Sequence, residues 1–181
     1  YSTIQAAVTA ANPNDRIFIK DKSGNIPYQE NVTIDKAVEL LPHTANGQFL
    51  VFGNYTISPN AVGFPANNNG VRIIGMLNQS GSINATANNG TGNSIDVQVL
   101  GCQLNSGSLN ISGTNFRSAV AGNWLLTGSI TTREATISGN LVNGNITVND
   151  AAGFVTGDDT LYIVGNRITT NTGAIANGRI T

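Results

Sequence analysis

The stretch GCQLNSGSLNIS, Gly101–Ser112, returns closely as GNWLLTGSIT from Gly122, and looser copies begin at Gly75 (GMLNQSGSIN), Gly139 (GNLVNGNITV) and Gly165 (GNRITTNTGAIA). The opening glycines lie 26, 21, 17 and 26 residues apart, whereas the step from opening to second glycine is 6, 6, 6, 5 and 8. An inner spacing that holds while the outer one drifts marks a solenoid, in which each repeat is one supersecondary unit and insertions are pushed into loops. Runs such as Ser94–Leu100 or Ser108–Ile111 are too short and too lightly apolar to stand alone. Stacking removes that difficulty, because each strand pairs with the coils above and below at about 4.8 Å and the inward residues form one apolar column.

In each copy the opening glycine permits the bend from one strand to the next. The residue after it is Met76, Cys102, Asn123, Asn140 and Asn166 in turn. Asn123, Asn140 and Asn166 in register predict an internal ladder of side-chain amides, with Met76 and Cys102 as apolar substitutes. Leu104, Leu125 and Ile168, then Leu109, Ile130, Ile146 and Ile175, are expected to fill the core. The next column, Gln103, Trp124 and Arg167, mixes chemical character and reads as a solvent-facing row that could meet a ligand. An exposed indole between polar neighbours can stack on a sugar face, and Tyr28 and Tyr55 are further candidates of that kind.

The first forty residues follow a different pattern. In STIQAAVTAANPND, Ser2 and Gln5 have the spacing of a capping box, and Ile4, Ala7, Val8 and Ala11 recur at helical intervals. Pro13, Asn14 and Asp15 end this helix, and RIFIK then places Ile17 and Ile19 on one face of a strand. VTI and AVELL follow as two short strands. The expected division is a capping helix over 1–12, irregular coils over 13–70 and repeat coils over 71–181, all in one domain. Thr3-Ile4-Gln5-Ala6-Ala7, the Ile17–Ile19 strand, Tyr28 with Glu30-Asn31-Val32, and Ile34–Leu41 resemble the start of right-handed parallel β-helix proteins of the pectin lyase-like group, which includes pectinesterases. The resemblance implies an all-β solenoid whose N-terminal end is plugged by a short α-helix, which would hide a strand edge.

Catalytic motifs of that group do not carry over. Pectinesterases use paired aspartates with a nearby arginine, in stretches such as Asp-Phe and Gly-Arg-Pro-Trp; here Gly178-Arg179 is followed by Ile180 and no aspartate precedes a phenylalanine. Polygalacturonase motifs are out of order as well, with Asp158-Asp159 before Asn171-Thr172-Gly173, and the only histidine, His43, lies outside the repeats. Adjacent Asp158 and Asp159 would face opposite sides of a strand, so TGDDT reads as a turn. Asp96, Glu134 and Asp150 are scattered singly, and no calcium cage is expected. A flat threonine array for ice binding, suggested by Thr131-Thr132 and Thr169-Thr170, would need Thr-X-Thr in every coil.

Composition sets the remaining bounds. The chain has 181 residues, is 40% hydrophobic and 10% charged, and carries a net charge of −1, so it can bury a core yet lacks the basic footprint for nucleic acid. No run approaches the roughly 18 apolar residues of a membrane span, and Cys102 has no second cysteine to pair with. The reading is a non-enzymatic, extracellular β-helix without cofactor or metal, serving as a rigid structural or adhesive module of a larger secreted or cell-surface protein or filament. The alternative is a carbohydrate-binding or polysaccharide-processing β-helix whose active part lies beyond Thr181. GAIANGRIT at the end continues the coil pattern, so further coils, domains or subunits are expected to pack there.

Overall fold

A computed structural model describes residues 1–44, 47–58, 70–86, 95–113, 116–148 and 161–169. The chain winds through them as a parallel β-solenoid. Successive strands step from sheet to sheet, so every third strand returns to the same one: seven in sheet A, seven in sheet B and six in sheet C among the described residues. The first coil holds β1 (Arg16–Ile19), β2 (Tyr28–Gln29) and β3 (Val32–Ile34), and β4 (Glu39–Pro42) opens the second. Asp158-Asp159, Ile175, Arg179 and the chain end lie outside the described residues.

Two-residue alternation sets the inside. Ile95, Val97 and Val99 of Ile95–Leu100 are buried while Asp96, Gln98 and Leu100 alternate with them. Register then stacks one column through sheet A, Leu40, Ile73, Val99, Val120 and Ile137, every member fully buried. Leu109, Ile130 and Ile146 do the same in sheet C. Each such side chain contributes roughly 1.5–3 kcal/mol of burial, and almost all of it depends on the coils next door.

Helix α1 (Ile4–Ala10) lays Ile4 and Val8 over the first coil. Its cap differs from the Ser2–Gln5 box expected from sequence. Thr3 is the N-cap, and its Oγ1 accepts the Ala6 N–H at 3.1 Å. Gln5 reaches away to β3, where its Oε1 accepts the Thr33 N–H at 2.7 Å and its Nε2 donates to the Thr33 carbonyl at 3.2 Å. Glu30 takes the role left open, since its carboxylate accepts the N–H groups of Ile4 and Gln5 at 2.8 and 2.9 Å. Lys36 Nζ donates to the Thr9 and Ala11 carbonyls, both at 3.1 Å. A carboxylate at the helix start and an ammonium at its end both complement the helix dipole. The residues that seat the helix are therefore distant in sequence, and a rule that looks three residues ahead misses them.

Candidate functional site

The corner between sheets A and B carries the first ladder. Asn123 and Asn140 are 1% exposed. Asn140 Oδ1 accepts from both the backbone N–H and the Nδ2 of Asn123, each at 2.9 Å, while Asn140 Nδ2 donates to the Val120 carbonyl at 2.9 Å and to Asn166 Oδ1 at 2.8 Å. Asn166 Oδ1 also accepts the Asn140 N–H at 2.9 Å, and its Nδ2 donates to the Ile137 carbonyl at 2.8 Å. One coil earlier Asn123 Oδ1 accepts the Cys102 N–H at 2.8 Å and its Nδ2 donates to the Val99 carbonyl at 2.9 Å. Cys102 closes the series as a weak donor, Sγ lying 3.5 Å from the Ile73 and Leu100 carbonyls. It thus does more than fill apolar space. Burial pushes its thiol up to about 12, which keeps the proton in place and removes it as a nucleophile near neutrality.

A second ladder follows the corner between sheets B and C. Asn31 Oδ1 accepts the Asn54 N–H at 2.8 Å, Asn54 Oδ1 the Ser82 N–H at 2.9 Å, Ser82 Oγ the Ser108 N–H at 3.0 Å, Ser108 Oγ the Ser129 N–H at 3.1 Å, and Ser129 Oγ the Asn145 N–H at 3.0 Å. Here the backbone donor sits on the later coil; in the asparagine ladder the backbone donor sits on the earlier one, while each side-chain amide also donates back to a carbonyl of the coil before it. The Gly-Ser half of the repeated phrase is this ladder, with Asn in place of Ser at both ends.

The two glycine columns have different causes. Gly101 has φ +60° with nothing within 4 Å of the place a Cβ would occupy, so only its left-handed backbone asks for glycine. Gly107 has φ +144°, and a Cβ there would lie 2.0 Å from the Gly81 carbonyl oxygen. Close approach of coil to coil excludes a side chain at the second column.

Outward on sheet B, register aligns Leu50, Leu77, Gln103, Trp124, Leu141 and Arg167. The structure thus brings the three residues expected from sequence onto one face, with Leu141 between Trp124 and Arg167 and with Leu50 and Leu77 ahead of Gln103. Trp124 is 46% exposed, Arg167 is exposed and Gln103 half-buried, with Gln103 Nε2 donating to Asn105 Oδ1 at 2.8 Å. Tyr55 is no sugar platform, because its ring is fully buried. Tyr28 is engaged, its hydroxyl donating to the Lys20 carbonyl at 2.8 Å and its ring lying 4.3 Å from Lys22 Nζ.

Sheet C presents Thr33, Thr56, Asn84, Asn110, Thr131 and Thr147 in one outward row. Thr132, next to Thr131, is fully buried, so the Thr131-Thr132 pair supplies one surface hydroxyl and not two. On sheet A, Glu39 lies 2.8 Å from Arg16 and 2.7 Å from Arg72, and Asp96 lies 2.9 Å from Arg117, so these two carboxylates are matched to guanidinium groups.

Comparison with protein-family models, with curated proteins and with solved structures finds no match to this chain. The parallel solenoid therefore stands on its own strand pairing.

Proposed function

We propose that the chain is a non-enzymatic β-helix of the pectin lyase-like kind, working as a rigid structural or adhesive module of a larger secreted or cell-surface protein or filament. The observation that supports this is the pair of corner ladders. Side chains bond coil to coil in addition to the strand hydrogen bonds, from Cys102 to Asn166 at one corner and from Asn31 to Asn145 at another, and their backbone donors point in opposite senses at the two corners. Such cross-links resist both stretching and shear between coils, which is what a load-bearing rod requires. Pulled from its two ends in a single-molecule experiment, the protein is expected to give way in steps of whole coils, at forces that fall when Asn140 is replaced by Ala. A smooth extension at low force, unchanged by Asn140→Ala, would contradict the reading.

Carbohydrate binding is a second reading, and the exposed Trp124, set between Gln103 and Leu141 in its row, favours it. Trp124 is the chain's single tryptophan, so its fluorescence reports on that face alone. A blue shift on titration with soluble oligosaccharides, lost in Trp124→Ala as judged by calorimetry, supports sugar stacking; an unchanged spectrum with all of them rejects it.

A further inference from the structure

The outer face of sheet A carries two rows of different character. Register aligns Leu41, Ile74, Leu100, Ala121, Ser138 and Val164 in the row beside the corner with sheet B, Leu41 being one step on from Leu40 opposite Ile73. Phe18 continues this row on the first coil, opposite Leu41. Phe18 and Val164 are 57% and 48% exposed and the residues between them half-buried, so a nearly apolar stripe runs along the seven strands of the sheet. Two residues back along each strand lie Glu39, Arg72, Gln98, Ala119, Thr136 and Tyr162, with Arg16 ahead of Glu39. The charges of this second row sit at one end, where Glu39 bonds Arg16 and Arg72, and its exposed aromatic ring, Tyr162, sits at the other. Both rows are bulky ahead of the Ile95–Leu100 strand and small just after it: Leu41 and Ile74 against Ala121 and Ser138, Glu39 and Arg72 against Ala119 and Thr136.

We propose that this face binds a second copy of the chain, the two solenoids running antiparallel about a two-fold axis through the Ile95–Leu100 strand with their sheets stacked face to face. Such an axis reverses the order of the coils and leaves each row opposite itself. Ile74 of one copy then meets Ala121 of the other, Leu41 meets Ser138, Phe18 meets Val164, and Leu100 and Gln98 meet their own equivalents on the axis. In the second row Arg72 meets Ala119, Glu39 meets Thr136, and Arg16 reaches the ring of Tyr162 as a cation–π pair. Large faces small in both rows, as close packing between stacked sheets requires. This self-match selects a second copy over an unrelated partner. Charge excludes the other two-fold arrangement: with the solenoids parallel the rows exchange places across the interface, and Glu39 and Arg72 would lose water against Leu41 and Ile74. Six steps of about 4.8 Å make the face about 29 Å long, and strands of four to six residues make it roughly 13–20 Å wide. The pair therefore buries on the order of 1,000 Å² in all, at the lower end for a specific interface. The dimer would form whether or not the rod bears load, since it uses a flank of the solenoid and neither of its ends.

Sedimentation equilibrium of the 181-residue chain is the test. A monomer–dimer equilibrium with a dissociation constant of roughly 1–100 µM is expected. Ala121→Ile, which sets isoleucine against Ile74 of the other copy, should weaken the dimer at least about tenfold. Adding Ile74→Ala to it should restore the affinity to within about threefold, because large again faces small with the roles exchanged. Ala119→Arg, which places a second guanidinium against Arg72, should also weaken the dimer about tenfold. Melting curves establish that each variant is folded, and Ala119→Arg carries the test if Ala121→Ile is not. A monomer at about 500 µM, a dimer that neither single substitution weakens, a double variant as weak as Ala121→Ile alone, or growth into open chains in place of dimers would each overturn the proposal.

Discussion

Gly107→Ala is expected to prevent stable folding, while Gly101→Ala should lower the melting temperature by only a few degrees. Both glycines have positive φ, so a rule based on backbone conformation alone ranks them alike. Surroundings separate them. At Gly101 the added methyl meets nothing within 4 Å, leaving about 1–2 kcal/mol for the left-handed conformation. At Gly107 it would stand 2.0 Å from the oxygen and 2.5 Å from the carbon of the Gly81 carbonyl, which are backbone atoms. Relief requires the coils to part, and that breaks the Ser82–Ser108 rung and the strand pairing on either side; a cost above about 4 kcal/mol is the class in which such strain and lost networks fall. Circular dichroism melts of the two variants check this, and equal small shifts would show that the coils approach less closely than described.

Asn140→Ala is expected to cost about 3–5 kcal/mol, because it strands several buried groups at about 1–3 kcal/mol each. The Asn123 N–H and side-chain amide lose their shared acceptor, and the Val120 carbonyl loses the donated Nδ2 bond. Asn166 Oδ1 also loses one of its donors. Thr136→Ala, at an exposed site on the outside of sheet A, should change stability by less than about 0.5 kcal/mol. Equilibrium denaturation of the two variants at fixed protein concentration separates the outcomes, and equal midpoints would remove the energetic role given to the ladder.

How far the sequence shows these features depends on whether the relevant residues recur in register. Coils, core columns and the asparagine positions repeat at nearly fixed inner spacing, so Asn123, Asn140 and Asn166 can be aligned by eye. The seating of α1 cannot be, because Glu30, Thr33 and Lys36 act across a whole coil and occur once each. Gly-Ser is visible as a repeat, yet its reason is a contact between coils: neither the 2.0 Å approach at Gly107 nor the change of rung from serine to Asn54 follows from one repeat considered alone. The outward row is legible in part. Gln103, Trp124 and Arg167 stand out by their polarity or size, whereas Leu77 and Leu141 look like core residues until strand register turns them outward. Tyr55 fails in the opposite direction, since an aromatic between Asn54 and Thr56 looks like surface and is packed inside.

The central claim is that side-chain ladders join the coils into one cooperative rod, and native-state hydrogen exchange of individual amides tests it most directly. The N–H groups of Cys102, Asn123 and Asn140 donate to asparagine side chains, and those of Ser108 and Ser129 to serine hydroxyls, at corners where the chain leaves the strands. If the ladders are formed and persistent, these five amides exchange as slowly as those of Val99 and Val120 in the middle of sheet A, through the same global opening. Exchange of the five at the rate of an unstructured peptide, with Val99 and Val120 still protected, would contradict the account.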